Sequence, residues 1–265
     1  AIRKNNILGN VEIEDMLKQY ELHSMILHQF SAAEVRKLVP MLFMAKYDPS
    51  NIVRNFMKQL WTVIVVESKF HATLMHSEQD AIVQYCLKSM SSGLWRDRES
   101  ACSALEAYLP DKSFELLVLP SLTEMFEQGL RVMDDMREST RAAGFAFMKV
   151  LGDLIVFSVS KGTRSGMPPR ELFQNVDSKE RRNSEILKAV STCDIVLSVM
   201  MPLLLDKGLL VVFPEGKGYC MGLLIRIIKE AKNTLNTWIC RLISVLIEGM
   251  SALEPQSLQY MQFHT

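Results

Sequence analysis

The sequence predicts an all-α chain, a HEAT/armadillo-type solenoid of stacked antiparallel helix pairs. Three observations carry that expectation. The stretch LWRDRESACSAL, Leu94 to Leu105, is nearly restated in RVMDDMRESTRAAGFAF, Arg131 to Phe147, with Arg98-Glu99-Ser100 returning 39 positions later as Arg137-Glu138-Ser139. A looser copy, KYDPSNIVRNFMKQLW, sits at Lys46 to Trp61 and places Arg54 44 positions before Arg98. Prolines recur at Pro40, Pro120 and Pro202, 80 and 82 positions apart. Self-similarity near 40 residues, carried by helical apolar stripes, is the signature of a two-helix repeat that buries its faces by stacking on its neighbours.

The elements follow in that register. Residues 11–30 read as one amphipathic helix and a partial repeat, with Met16, Leu17, Tyr20, Met25, Ile26 and Phe30 at helical spacing. The first full repeat is 33–66. Its first helix, Ala33 to Tyr47, carries Leu38, Leu42 and Ala45 on one face and Pro40 in its interior, where proline removes a hydrogen bond and bends the axis. Asp48-Pro49-Ser50 is expected to start the second helix, a carboxylate capping free amides and a proline in the first turn. Val53, Phe56, Met57, Leu60 and Ile64 are its expected buried face.

The second repeat, 80–109, pairs Asp80–Ser91 with Trp95–Tyr108 across Ser91-Ser92-Gly93, a glycine stop. The third, 114–159, pairs Phe114–Gln128 with Asp134–Val159, and Asp134 and Asp135 meet the positive end of the helix dipole. Residues 160–184 lose the apolar stripe, gain Gly162, Gly166, Pro168 and Pro169, and read as an inserted loop. Lys179 to Arg182 within it reads as solvated charge, not as a nuclear localisation signal. The fourth repeat, 185–231, has Pro202 in the proline position and a second helix from Pro214 to Ala231. There Gly216-Lys217 replaces the apolar-Arg pair, and Gly218 and Gly222 follow, so this helix is expected to start late or pack unusually closely. The last repeat, 236–262, pairs Asn236–Ser251 with Pro255–Gln262.

Composition narrows the function. Thirty basic and 30 acidic residues leave no net charge, which gives no sign of a nucleic-acid footprint. The longest apolar run, Ile195 to Leu205, is far short of the roughly 20 residues a membrane span needs, so membrane insertion is not expected. Five scattered cysteines indicate a reducing compartment, not a disulfide framework. The 17 methionines read as gap fillers between helices. The start Ala1-Ile2-Arg3-Lys4 has no signal-peptide pattern and reads as a segment of a longer chain.

No catalytic, cofactor or metal site is expected. Gly216-Lys217 lacks the upstream glycine and the following Ser or Thr of a phosphate loop. His23/His28 and His71/His76 are each five apart, which puts the two rings on different helix faces. Trp61, Trp95 and Trp238 fall on apolar stripes and read as core. The expected roles are structural. Arg54, Arg98 and Arg137 lie near the starts of successive second helices, beside Asp48, Asp97 and Asp134/Asp135, and read as a ladder joining neighbouring repeats. Pro40, Pro120 and Pro202 mark the first helices.

The match becomes specific at Trp95–Leu105 and Asp134–Ala143, together with FMKQLW (Phe56–Trp61), LLLDKG (Leu203–Gly208), LLIRIIKEA (Leu223–Ala231) and LIEGMSALEPQ (Leu246–Gln256). On these blocks, in family order, the chain resembles the C-terminal part of the eukaryotic HEAT-repeat proteasome adaptor and scaffold protein family. Residues 1–45 and 162–184 match poorly. The resemblance implies a non-enzymatic scaffold that binds 26S proteasome subunits, bridges the core and regulatory particles, and resides in the cytoplasm, with the nucleus as a second compartment. The competing readings are another HEAT-repeat protein–protein interaction scaffold or a karyopherin-type nuclear transport receptor; the latter predicts an acidic inner surface, which the balanced charge does not support.

Overall fold

The computed structural model describes residues 32–62, 77–165 and 192–248. The expected helices at 11–30 and Pro255–Gln262, the five histidines and most of the 160–184 stretch lie outside these residues. Within them the fold is all-α, in helix pairs of the HEAT type, and no strand occurs among the described residues. The chain divides into two compact units. One comprises Ala1–Tyr108 with Asp135–Phe147, the other Leu109–Asp134 with Met148–Thr265.

In the first unit α1 (Ala32–Ala45) packs on α2 (Asn51–Trp61) and on α3 (Gln79–Met90), and α3 pairs with α4 (Trp95–Tyr108). The core is one apolar stripe from each helix: Val39 and Phe43, then Ile82, Cys86 and Leu87, then Ala101 and Leu105. Burying each large side chain stabilises the fold by about 1.5–3 kcal/mol. Phe43 is the hub, 4.8 Å from the Tyr108 ring, 5.4 Å from Trp61 and 5.6 Å from Tyr47. Pro40 stays inside α1.

The expected start of α2 moves. Asp48 does not cap the helix; its carboxylate accepts the Ser50 amide two residues on, at 2.8 Å, and closes a turn. The helix starts at Asn51 behind Ser50, so Pro49 precedes it. Its inward side differs too: Trp61 is buried, whereas Phe56 is 57% exposed and Val53, Met57 and Leu60 are half-buried. Ile64 lies outside the described residues. Gly93 does not stop α3 by a left-handed turn, since no described glycine has positive φ.

In the second unit the expected helix Phe114–Gln128 is broken in three. A π turn (Phe114–Val118), capped where Ser113 Oγ accepts the Leu116 amide, gives way to a 3-10 turn (Leu119–Ser121) and then to α5 (Leu122–Met133). Pro120 sits at the break, where its missing N–H forces the hydrogen-bond ladder to change register. Pro202 repeats the device: α7, residues 192–202, runs into a π turn at Leu203–Lys207 and a 3-10 turn at Gly208–Leu210.

Helix α6 (Glu138–Ser165) starts four residues after Asp134, which instead ends α5. It continues to Ser165, beyond the loop boundary expected at 160. Its stretch Glu138–Gly162 is long and apolar enough to cross a membrane, with mean hydropathy 1.7. Phe147, Met148, Leu151, Ile155 and Val159 on it are fully buried, Phe157 is 68% exposed, and 44% of the apolar window is buried in the protein.

Helix α8 (Pro214–Ala231) begins on its proline and does not start late. Of the three glycines Gly216, Gly218 and Gly222 in this helix, only the first is closely packed. A Cβ on Gly216 would overlap the Phe213 ring, while Gly218 and Gly222 face open space. Helix α8 packs on the 203–210 turns and ends at Lys232, φ 47°, before a 3-10 stretch (Lys232–Trp238) and α9, residues 239–248.

Candidate functional site

The candidate site is the arginine network at the helix-pair turns of the first unit. Helices α2, α4 and α6 begin at Asn51, Trp95 and Glu138, and three residues on stand Arg54, Arg98 and Arg141. Each sends one guanidinium N–H to the backbone carbonyl six residues earlier: Arg54 to Asp48 at 3.0 Å, Arg98 to Ser92 at 2.8 Å, Arg141 to Asp135 at 2.9 Å. Each guanidinium thus folds back over the turn and clamps it to the first turn of the second helix, a charge-assisted bond to a carbonyl that no helix satisfies.

The third member of this set is therefore Arg141, 43 positions after Arg98. Arg137, which the Arg-Glu-Ser match put in that place, lies one helical turn earlier. Its guanidinium carbon stands 3.4 Å over the Trp95 ring centroid and its Nε donates to Ser139 Oγ at 3.0 Å. In the second unit the same position, three residues past Pro214, is the exposed Lys217.

The clamps are cross-linked. Arg98 Nε donates to Asp135 Oδ2 at 2.6 Å, joining the second pair to the third, with side-chain exposures of 22% and 6%. Burial alone would raise the Asp135 pKa, but the bond from Arg98, the Arg137 amide and the charges of Arg98 and Arg141 outweigh it and hold the carboxyl below its ordinary value. Arg96 reaches back to Asp48 at 2.9 Å. Glu99 accepts Ser139 Oγ at 2.6 Å and the buried Thr140 hydroxyl at 3.3 Å.

In the second unit, Arg226 pairs with Asp153 at 2.6 Å, Lys207 with Glu127, and Arg241 with Asp206. The Tyr219 hydroxyl donates to the Met148 carbonyl over Gly152. An open cleft of about 560 Å³ lies between α6 and α8, with Phe157 on one side and Asp153, Lys161, Arg226 and Glu230 supplying charges of both signs.

Cys86 and Cys220 are buried, which pushes their thiols up to about 12 and leaves them protonated and unreactive. Among the described residues no group of three histidine, cysteine or acidic side chains could hold a metal ion. Lys46 is the unusual cation. It packs 4.2 Å over Trp61 and 4.5 Å over Phe43, and burial, with the nearby charge of Lys58, lowers its pKa to about 8. Of the three tryptophans only Trp61 is core; Trp95 and Trp238 are half-buried. Sequence reasoning passed over Arg141 and the Arg137–Trp95 stack; counting from each helix start would have found the first.

The chain is 27% identical over 225 residues to the human proteasome adapter and scaffold protein ECM29, covering 85% of this chain and 10% of that protein. It is 24% identical over 235 residues to the fission yeast proteasome component ecm29 (89% of this chain, 12% of the relative). The budding yeast proteasome component ECM29 is 26% identical over 230 residues (85% and 11%). The chain thus spans about a tenth of the length of these curated relatives. No protein-family model matches it, and no solved structure matches it significantly.

Proposed function

We propose that this chain, a relative of the ECM29 proteasome adaptor and scaffold proteins, acts as a helical-pair segment of a proteasome-associated scaffold. The observation that carries the reading is the similarity itself, which runs through at least 85% of the chain in the three relatives described. A scaffold needs surfaces held in fixed register, not a reaction centre. The turn clamps and cross-pair bridges of the first unit supply such stiffness. In this reading Arg54 and Arg98 are stacking residues, together with Arg141 in the place first given to Arg137. Pro40, Pro120 and Pro202 shape the first helices of their pairs.

The finer function is binding to 26S proteasome subunits and bridging of the core and regulatory particles, without catalysis, in the cytoplasm and nucleus. Stacked helix pairs suit this because many shallow contacts can be spread along their faces. The test is affinity purification of the tagged chain from a eukaryotic lysate, at low and high salt, read by mass spectrometry. Enrichment of proteasome subunits is the expected result. Enrichment of a GTPase with transport cargo in their place would overturn the reading in favour of a karyopherin-type receptor.

A further inference from the structure

The geometry points to the Arg137–Trp95 stack as a docking site for an acidic peptide segment of a protein partner, one that places a carboxylate beside an apolar side chain. Arg137 is exposed, and its guanidinium carbon stands over the half-buried Trp95 ring, 3.4 Å from the centroid. Among the described residues only its Nε donates a side-chain hydrogen bond, to Ser139 Oγ.

The neighbouring acids are already engaged. Asp135 takes Arg98 and the Arg137 amide, Asp97 takes Ser92, and Glu99 takes Ser139 and Thr140. Asp134 and Glu138, both exposed, are the other acids close in sequence. Arg137 therefore forms no ion pair with a described residue, unlike Arg96 and Arg98. Its two terminal nitrogens keep the fork geometry that a carboxylate fits in bidentate fashion.

The stack also orients the group. A guanidinium held on an aromatic face loses little further freedom on binding, which favours affinity. Apolar side chains flank both members in sequence: Leu94, 66% exposed, precedes Trp95, and Met136, 99% exposed, precedes Arg137. Trp, Arg and Met together are the composition of an interface centre, not of an inert turn. Charge complementarity selects an acidic segment, and Leu94 and Met136 select an apolar neighbour within it. The inference goes beyond the scaffold reading, since it names the chemistry of the bound segment and holds whichever complex carries it.

The test is selection of a random, unphosphorylated peptide library displayed on phage against the folded chain, in parallel against Arg137→Ala, Arg137→Lys and, as a control in the other unit, Arg226→Ala. Circular dichroism confirms that each variant is folded. The expected consensus pairs Asp or Glu with Leu, Phe or Met. Selected peptides should bind Arg137→Ala about tenfold more weakly, Arg137→Lys at an intermediate level, and Arg226→Ala unchanged. A consensus without an acidic residue, no enrichment on the wild-type chain, or equal binding to Arg137→Ala would each overturn it.

Discussion

Arg98 and Asp135 meet at 2.6 Å across two helix pairs, and the same aspartate lends its backbone carbonyl to Arg141. One residue thus ends one clamp and anchors a bridge. Removing a partner strands a charge in a largely buried site, at a cost of about 3 kcal/mol. Arg98→Ala and Asp135→Ala should each lower the urea midpoint at neutral pH and keep most of the helical signal. A double-mutant cycle should show coupling; strictly additive effects would remove the bridge from the account.

The bridge carries a pH signature. Its folded pKa is depressed below 3.8, so Asp135 contributes stability that is full above that value and lost as pH falls through the folded value. Urea midpoints measured down through the acid range should therefore fall less steeply below the unfolded value in Asp135→Asn than in the parent chain. Parallel curves would contradict the assignment.

Arg141 and Arg137 should separate. Arg141 serves two carbonyls, Asp135 and Met136, at 2.9 and 3.1 Å. Arg141→Ala should cost about 1.5–3 kcal/mol, as for hydrogen bonds to a charged donor. Arg137→Ala, at an exposed cation–aromatic contact, should cost under about 1 kcal/mol. Thermal melts of the two variants decide the register; the reverse order would restore the 39-residue alignment.

Lys46 should act in the opposite pH range. Its folded pKa of about 8 lies below its ordinary 10.5, so the charged form disfavours folding. Stability should rise as pH climbs from about 8 toward 10.5, and the penalty is complete below that window. The ring contacts of the cation reduce the penalty without cancelling it. Lys46→Met should raise the urea midpoint at neutral pH, with the gain shrinking by pH 10.5.

Two glycines in paired helices should respond with opposite sign. A Cβ at Gly152 would sit 2.8 Å from the Tyr219 hydroxyl and 3.4 Å from Leu223. Gly152→Ala should push Tyr219 off the Met148 carbonyl and destabilise by about 1–3 kcal/mol. Gly218 faces open space inside α8, so Gly218→Ala should stabilise by about 0.5–1 kcal/mol. Calorimetric melts of both variants check the pair.

Much of the architecture was legible because helix period and punctuation agreed. Trp95–Tyr108 and Pro214–Ala231 fall where the apolar stripes and the N-terminal proline put them. The starts of α2 and α6 came out late by three or four residues, because Asp48, Asp134 and Asp135 resemble helix caps but close turns and terminate helices. The prolines at 120 and 202 were visible, but the switch to π and 3-10 turns around them is a tertiary compromise that a linear pattern does not encode. The arginine register slipped for a different reason. Three identical residues outweighed position within the helix, whereas the chemistry of the clamp depends only on position.

The most direct test is sedimentation of the purified chain with purified 26S proteasome in a glycerol gradient at near-physiological salt. The account predicts that the chain moves to the proteasome fractions. A chain that remains at its own position as the proteasome concentration is raised into the micromolar range would contradict it.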